Sequence, residues 1–325
     1  AAEGIDFNAF ARGEHPHPAL GTPAAPGRFA IIAFHLAREC NGRIETMHPP
    51  TADLIPQLED EHVVARALKP VAVTQERAFS SSSPLSSIPV LAEDQRRKPA
   101  AGYWLTQPGY ARHLRREGIE PTDFVSTRDL WSIDERVGVG LDPELRRAED
   151  GKLFSTQAIA LRPGVGFLVG VAGAILPDRG TVRLGGDGRA AVVHSVRFEP
   201  PPIDLELIRK MRKCRVVLTT PGIFGAGWRL PGMDLDGRFE LHGVRGRVVA
   251  AAVSRAEVIS GFDLARWRPK PAERVAAAGS VYWMEELDAS PGALDNLIQS
   301  GLWPADGENA ARRAEGLNRF LFAVF

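Results

Sequence analysis

Residues 261–284 read GFDLARWRPKPAERVAAAGSVYWM. They hold four cations (Arg266, Arg268, Lys270 and Arg274), two prolines and a Gly-Ser pair. Pro269 and Pro271 fix φ and remove two N–H donors, so this part runs extended and not helical. Val281-Tyr282-Trp283 has the β-branched and aromatic chemistry of a strand. Gly279 ahead of it permits a positive φ or a close backbone approach. An extended basic loop that empties through Gly279-Ser280 into an aromatic strand suits a surface that holds a polyanion. The plain alternative is a Pro-rich loop with solvated charges.

The same residues resemble a known signature, G-W-D-x-A, K-P, then V-P-A-G-S-V-Y-x-F. It belongs to the third subunit of the Cmr complex, the type III-B CRISPR RNA-guided effector, whose subunits form the RAMP superfamily. The positions carrying the resemblance are Gly261-Phe262-Asp263-Leu264-Ala265, Pro269-Lys270-Pro271, Arg274-Val275 and Ala278-Gly279-Ser280-Val281-Tyr282-Trp283. Phe262 stands where the family has Trp, and Ala277 where it has Pro.

Working outward, further segments are similar to the family in order. His48-Pro49-Pro50-Thr51-Ala52-Asp53-Leu54 is similar to its P-x-P-x-D-L-V, and Tyr103-Trp104-Leu105 to its G-x-W/F-L. Glu135-Arg136-Val137-Gly138-Val139 matches E-x-R-V/I-G-I. There Glu135 and Arg136 read either as a charge pair at a sheet end or as RNA contacts. Leu184-Gly185-Gly186-Asp187-Gly188-Arg189 matches a G-G-E/D-G-R segment. Three glycines in four residues can align backbone N–H groups into a nest for phosphate oxygens, with Arg183 and Arg189 beside it. A tight Gly-Gly-x-Gly hairpin is the alternative. No Walker or dinucleotide fingerprint is present. Thr219-Thr220-Pro221-Gly222-Ile223-Phe224 and Gly227-Trp228 are similar to L-x-T-P-A-I-F-x-x-G-W. Trp228 reads as a stacking platform or as core.

The resemblance thins at both ends. Near the N-terminus only Phe10, Gly13, Pro16 and Arg12 survive of F-R-D-G-R-P-F. Near the C-terminus Arg312-Arg313-Ala314-Glu315-Gly316-Leu317-Asn318 stands where RAMP proteins carry R-x-G-F-G. Asn318 replaces the second glycine, and Asn tolerates the left-handed region, so the turn can survive.

The resemblance implies an α+β protein of two ferredoxin-like (RRM-like) RAMP domains with long loop insertions, here divided into residues 1–140 and 141–325. It implies a cytoplasmic, non-catalytic subunit with no cofactor. That subunit binds the 5′ tag of the guide RNA and caps the complex beside the large polymerase-palm subunit and the backbone RAMP subunits. The expected RNA-binding residues are Arg183, Gly185, Gly186, Gly188, Arg189, Trp228, Arg268, Lys270, Arg274, Gly279 and Ser280, with Trp283 a second stacking candidate. The alternative is a RAMP-type endoribonuclease that processes precursor guide RNA. Such an enzyme needs a His acid or base near a cation, and none of the 8 histidines sits in a recognisable pair along the chain.

Composition agrees in kind. The chain has 325 residues, 44% hydrophobic and 25% charged, as in ordinary globular proteins. Its formal net charge is zero, but residues 183–274 hold 17 Lys/Arg against 10 Asp/Glu. That local excess suits a phosphate backbone, while the acidic remainder suits protein partners. Two cysteines, Cys40 and Cys214, form no disulfide or zinc framework. His15 and His17 sit beside prolines with no third ligand and read as loop residues. GVGFLVGVAGAIL, residues 164–176, is too short to span a bilayer and reads as buried strand.

The remaining elements follow from pattern. Residues 29–39, FAIIAFHLARE, carry apolar residues at helical spacing and predict a helix. Residues 108–117 and 294–300 predict short helices, as do 204–214 with acidic residues first and cations last. Residues 130–141, 153–161, 190–198 and 238–254 predict strands, the last with Arg245 and Arg247 on one face. Residues 66–102 read as an irregular insertion, either functional or a loop.

Overall fold

The computed structural model describes the chain except residues 1–8, 11, 15, 23–24, 75–82, 94–96, 143, 186–188, 264–265 and 305–308. Strands dominate, nearly all in antiparallel pairs, with a few short helices.

The first half begins with β1 (Ala30–Cys40) and β2 (Arg43–Met47). Two hairpins follow, β3 (Leu54–Glu59) with β4 (His62–Ala67) and β5 (Lys69–Ala72) with β6 (Ser87–Val90). Then come β7 (Tyr103–Leu105), helix α1 (Gln107–Leu114) and β8 (Phe124–Ser126). A long hairpin joins β9 (Trp131–Leu141) to β10 (Ala148–Leu161), and β11 (Val165–Ala172) returns to pair with β1. A second hairpin, β12 (Arg179–Leu184) with β13 (Arg189–His194), leads to the second half.

Residues 29–39 are therefore strand, not helix. β1 is paired by β11 from Ala30 to Arg38 and by β2 from Leu36 to Cys40, and these ladders outweigh a helical spacing. The run at 164–176 is a strand but not a buried one. β11 is an edge strand, with Phe167 42% and Val169 43% exposed. A division after residue 140 falls inside β9, and the partner of β1 lies beyond it, so pairing carries the first half on to Ala172. The 66–102 insertion is not wholly irregular. It contains β5 and β6, and Leu85 inserts into the core of the second half.

The second half is built on one sheet. Helix α2 (Leu205–Met211) precedes β14 (Cys214–Leu218). Then come β15 (Arg238–Leu241), β16 (Val244–Ala252), β17 (Glu257–Ile259), β18 (Phe262–Asp263), β19 (Arg268–Pro269), β20 (Glu273–Val275) and β21 (Val281–Asp288). Helices α3 (Pro291–Ser300) and α4 (Ala310–Ala314) and strand β22 (Phe320–Ala323) close the chain. Five strands pair in the order β15-β16-β21-β14-β22, all antiparallel.

Alternation explains the packing. In β14, Cys214, Val216 and Leu218 join one core cluster with Ile208 of α2 and Leu294 and Leu297 of α3. Val217 faces the other way, with Val281 and Trp283 of β21, onto Leu54, Leu105, Tyr110 and Leu114 of the first half. The central strands are buried on both faces, hence the unbroken apolar run at 281–284. The helices start on side-chain caps at Thr106, Asp204, Ser290 and Asn309. Arg212 leaves α2 with a left-handed φ of 54°, and strand resumes at Cys214.

Candidate nucleic-acid interface

The 257–275 stretch folds back on itself as a narrow ribbon. β17 pairs with β20, and β18 with β19, with Phe262 opposite Pro269 and Asp263 opposite Arg268. The Lys270 N–H donates to Gly261 O at 2.9 Å, and Ser260 Oγ donates to Lys270 O at 2.6 Å. Asp263 closes the tip by accepting from the Arg266 N–H at 3.1 Å and from its guanidinium at 3.2 Å. Trp267 takes a left-handed φ of 50° and is 77% exposed. Its ring stands edge-on to Phe262, with centroids 5.6 Å apart and planes at 89°. Arg266 and Arg268 flank it and are exposed, as is Arg274 on β20.

A buried arginine holds this ribbon to the C-terminus. Arg312 of α4 is 4% exposed and donates to Glu273 at 2.9 Å, Ser260 O at 2.8 Å, Glu315 at 2.9 Å and Pro271 O at 3.2 Å. The Lys270 ammonium also pairs with Glu315. Burial opposes the charge on the Glu315 carboxyl, but Lys270 and Arg312 hold it below its usual range. Lys270 is thus part of the ribbon's anchor, and the outward cations are Arg266, Arg268 and Arg274.

The Gly279-Ser280 turn is internal. Gly279 has φ 82°, its N–H donates to Leu218 O at 2.7 Å, and its carbonyl accepts from the Ala52 N–H at 2.8 Å. Ser280 is fully buried, with N–H and Oγ both donating to Ala277 O. Neither N–H is available to phosphate, which corrects the expectation of backbone donors there. Trp283 is also fully buried, which removes it as a stacking platform. Trp228 is half-buried against the core, and its carbonyl accepts from Tyr282 Oη at 2.6 Å.

The glycine-rich segment divides. Gly186 and Gly188 lie outside the described residues, while Gly185 has φ 80° at an exposed turn. Arg183 pairs across from Ala190 and Arg189 across from Leu184. Neighbouring strand positions point to opposite faces, so the two arginines project from opposite faces of the hairpin and cannot grip one phosphate together. Among the described residues β12 and β13 pair only with each other, and no ladder brings them to the ribbon.

At the C-terminal loop Asn318 takes φ 61° and Gly316 φ 84°, so the turn survives. Its work is structural. Asn318 Oδ1 accepts from the Ile223 N–H at 2.7 Å, and Nδ2 donates to Leu302 O at 2.9 Å. The pair expected at 135–136 is replaced by Asp134–Arg136 at 2.7 Å, because adjacent strand residues face apart.

One constellation is legible only in three dimensions. Asp53 accepts from Arg215 Nη1 at 2.5 Å and from Thr51 Oγ1 at 2.6 Å, and it lies 3.1 Å from His113 Nε2. Arg215 donates also to His113 O at 2.6 Å and Val324 O at 2.7 Å. Burial would raise the Asp53 carboxyl, but His113, Arg215 and Thr51 together hold it well below the usual carboxylate range. Burial pushes His113 down, so it stays neutral. Asp53 and Arg215 are fully buried and His113 nearly so. This His–Asp–Thr set resembles acid–base machinery in composition, but it is sealed and its donors are consumed. Among the described residues no three His, Cys, Asp or Glu converge as a metal site.

The family profile described as CRISPR-associated protein (Cas_Cmr3) matches residues 2–319. No curated protein matches the chain. Among solved structures, a chain of the type III-B Cmr-beta complex bound to cognate target RNA aligns at 13% identity with TM-score 0.41, over 88% of this chain and 70% of that one. A chain of the same complex bound to cognate target RNA and AMPPnP, state 1, aligns at 13% identity with TM-score 0.40, over 88% and 72%.

Proposed function

Because the chain belongs to the CRISPR-associated Cas_Cmr3 family, we propose that it is the guide-RNA-holding subunit of a type III-B effector, non-catalytic, and that it grips the 5′ tag. The observation that carries this reading is Trp267, 77% exposed at the tip of an anchored ribbon between two exposed arginines. An exposed indole leaves apolar surface in water that a partner can cover favourably, and an unpaired base stacks well on its face. The flanking guanidiniums suit the phosphates on either side.

The sheet supports a ferredoxin-like second half. The order β22-β14-β21-β16, antiparallel throughout, with α3 between β21 and β22, is that of a split β-α-β unit, widened by β15. The first crossover, between β14 and β15, carries turns in place of a helix. The sealed state of His113 and Asp53 supports the non-catalytic reading, since a general acid or base has to reach its substrate. No helix of the described residues is long and apolar enough to cross a membrane. The cytoplasm, the large polymerase-palm subunit and the backbone RAMP subunits complete the proposal.

The test is purification of the tagged chain from its native host with sequencing of bound RNA. Short RNAs sharing one repeat-derived 5′ end support the reading. A chain recovered free of RNA overturns it.

A further inference from the structure

The long β9-β10 hairpin has two unlike faces. Directly opposed residues share a face. Val139 with Leu153, Val137 with Ser155, Glu135 with Gln157, and Ile133 with Ile159 make one of them. The other face holds Asp134, Arg136, Thr156 and Phe154. On the first face Val137 is 74%, Leu153 73% and Ile133 and Ile159 each 61% exposed. At the hairpin's base this face runs into a cleft of about 400 Å³ walled by Phe34, Phe167, Trp104, Trp131, Met47 and Leu161. Within the cleft His48 lies flat on Tyr110, with centroids 3.9 Å apart, and burial pushes its pKa down to about 3, so it is neutral.

Such an exposed face, apolar except where Gln157 donates to Glu135 at 2.8 Å and where Ser155 stands, and ending in a pocket, has the anatomy of a protein–protein interface with an anchor site. Charge decides the class of occupant. Among the described residues no lysine or arginine lines the cleft. The hairpin carries six acidic residues against four basic ones. A phosphate backbone requires cations, so RNA is disfavoured here. A second copy is disfavoured too, because a twofold contact centred on this face brings Glu135 toward Glu135. We propose that this face docks a different protein chain, one that places an aliphatic or aromatic side chain in the cleft and a basic side chain opposite Glu135. The inference rests on the effector-subunit reading and separates two surfaces, the ribbon for RNA and the hairpin for protein.

The test places p-benzoylphenylalanine at Val137, or at Thr156 on the opposite face, in the tagged chain purified with its complex. Irradiation is expected to join position 137, and not 156, to a protein of different mass, with the adduct resistant to ribonuclease. In parallel, Val137→Asp with Leu153→Asp should cut recovery of that protein at least tenfold while guide-RNA content stays within twofold. Both positions are exposed, so folding is preserved. An RNA-loaded, assembled complex that gives no adduct at 137, a ribonuclease-sensitive adduct, or an adduct to a second copy overturns the docking inference and leaves the RNA reading standing. A chain recovered with neither RNA nor protein overturns both.

Discussion

Trp267 occupies a left-handed φ, which costs a bulky residue roughly 1–2 kcal/mol. The ribbon tolerates that cost because Asp263 closes the turn beneath it. If its ring stacks on RNA, Trp267→Ala should weaken single-strand binding by about 1–3 kcal/mol. Fluorescence anisotropy with a labelled tag RNA reads the loss, and an unshifted melting temperature would show that the fold is intact. Arg268→Ala and Arg274→Ala should each lower the salt slope of binding by about 0.7, and Arg266→Ala by less, because its guanidinium already pairs with Asp263. Lys270→Ala should lower it less, because its ammonium is already committed to Glu315. The sequence singled out the arginines and the lysine alike, since no local signal tells a paired cation from a free one. Trp267 stood in the same stretch, but its exposure becomes apparent only when the ribbon is folded.

At the scale of the element, the ribbon is as rigid as its strut. Arg312 joins two backbone carbonyls and two carboxylates from one nearly buried guanidinium. Arg312→Met leaves Glu273 and Glu315 without that partner and should cost about 1–3 kcal/mol. Amide exchange across residues 260–271 should accelerate while β14 and β21 stay protected, and an unchanged ribbon would remove the strut from the argument. Elsewhere local pattern read the elements unevenly. Residues 281–284 were legible as strand, because a strand buried on both faces needs an unbroken apolar run. The helix that spacing predicts over residues 29–39 does not form, because the spacing fits both periods and the choice rests with pairing to the adjacent β2 and to β11, which is remote in sequence.

At the scale of the whole molecule, Arg215 and Asp53 join the two halves. Arg215 projects from the second sheet onto the first half, where Asp53 and the end of α1 accept from it, while Val324 beyond β22 takes a further bond. Arg215→Leu leaves a buried carboxylate unpaired and should cost about 3–5 kcal/mol. Pairing it with Asp53→Leu should recover part of the loss in a denaturant titration. Acid should act on the same region. His48 ionises near pH 6.5 when unfolded but only near pH 3 when folded, so between these values the unfolded chain binds the extra proton. Stability should therefore be full above about pH 6.5 and fall as pH drops, by up to about 1.4 kcal/mol per pH unit for this group. Asp53 adds to the loss at lower pH, because its carboxyl is held down in the fold. Thermal melts from pH 7.5 to 5 should show the decline, and His48→Gln should make it shallower, leaving the share due to His113, whose pKa burial also lowers.

What the sequence determined by itself was local and ordered. It determined the family through motifs met in register along the chain, the prolines that force residues 268–271 to run extended, the double-sided burial of 281–284, and an Asn able to hold the left-handed turn at 318. Each of these depends on a residue and its near neighbours, whose steric and hydropathic limits hold in any fold. What only the tertiary structure decided was partnership. It decided that Lys270 is an anchor, that Gly279 and Ser280 spend their N–H groups inside, and that Arg183 and Arg189 face apart. It also decided that Thr51, Asp53, His113 and Arg215 meet across more than a hundred residues of chain. The physical reason is that a charge or a donor is free or spent according to what lies within about 3 Å of it, and at that distance the neighbours come from segments remote in sequence.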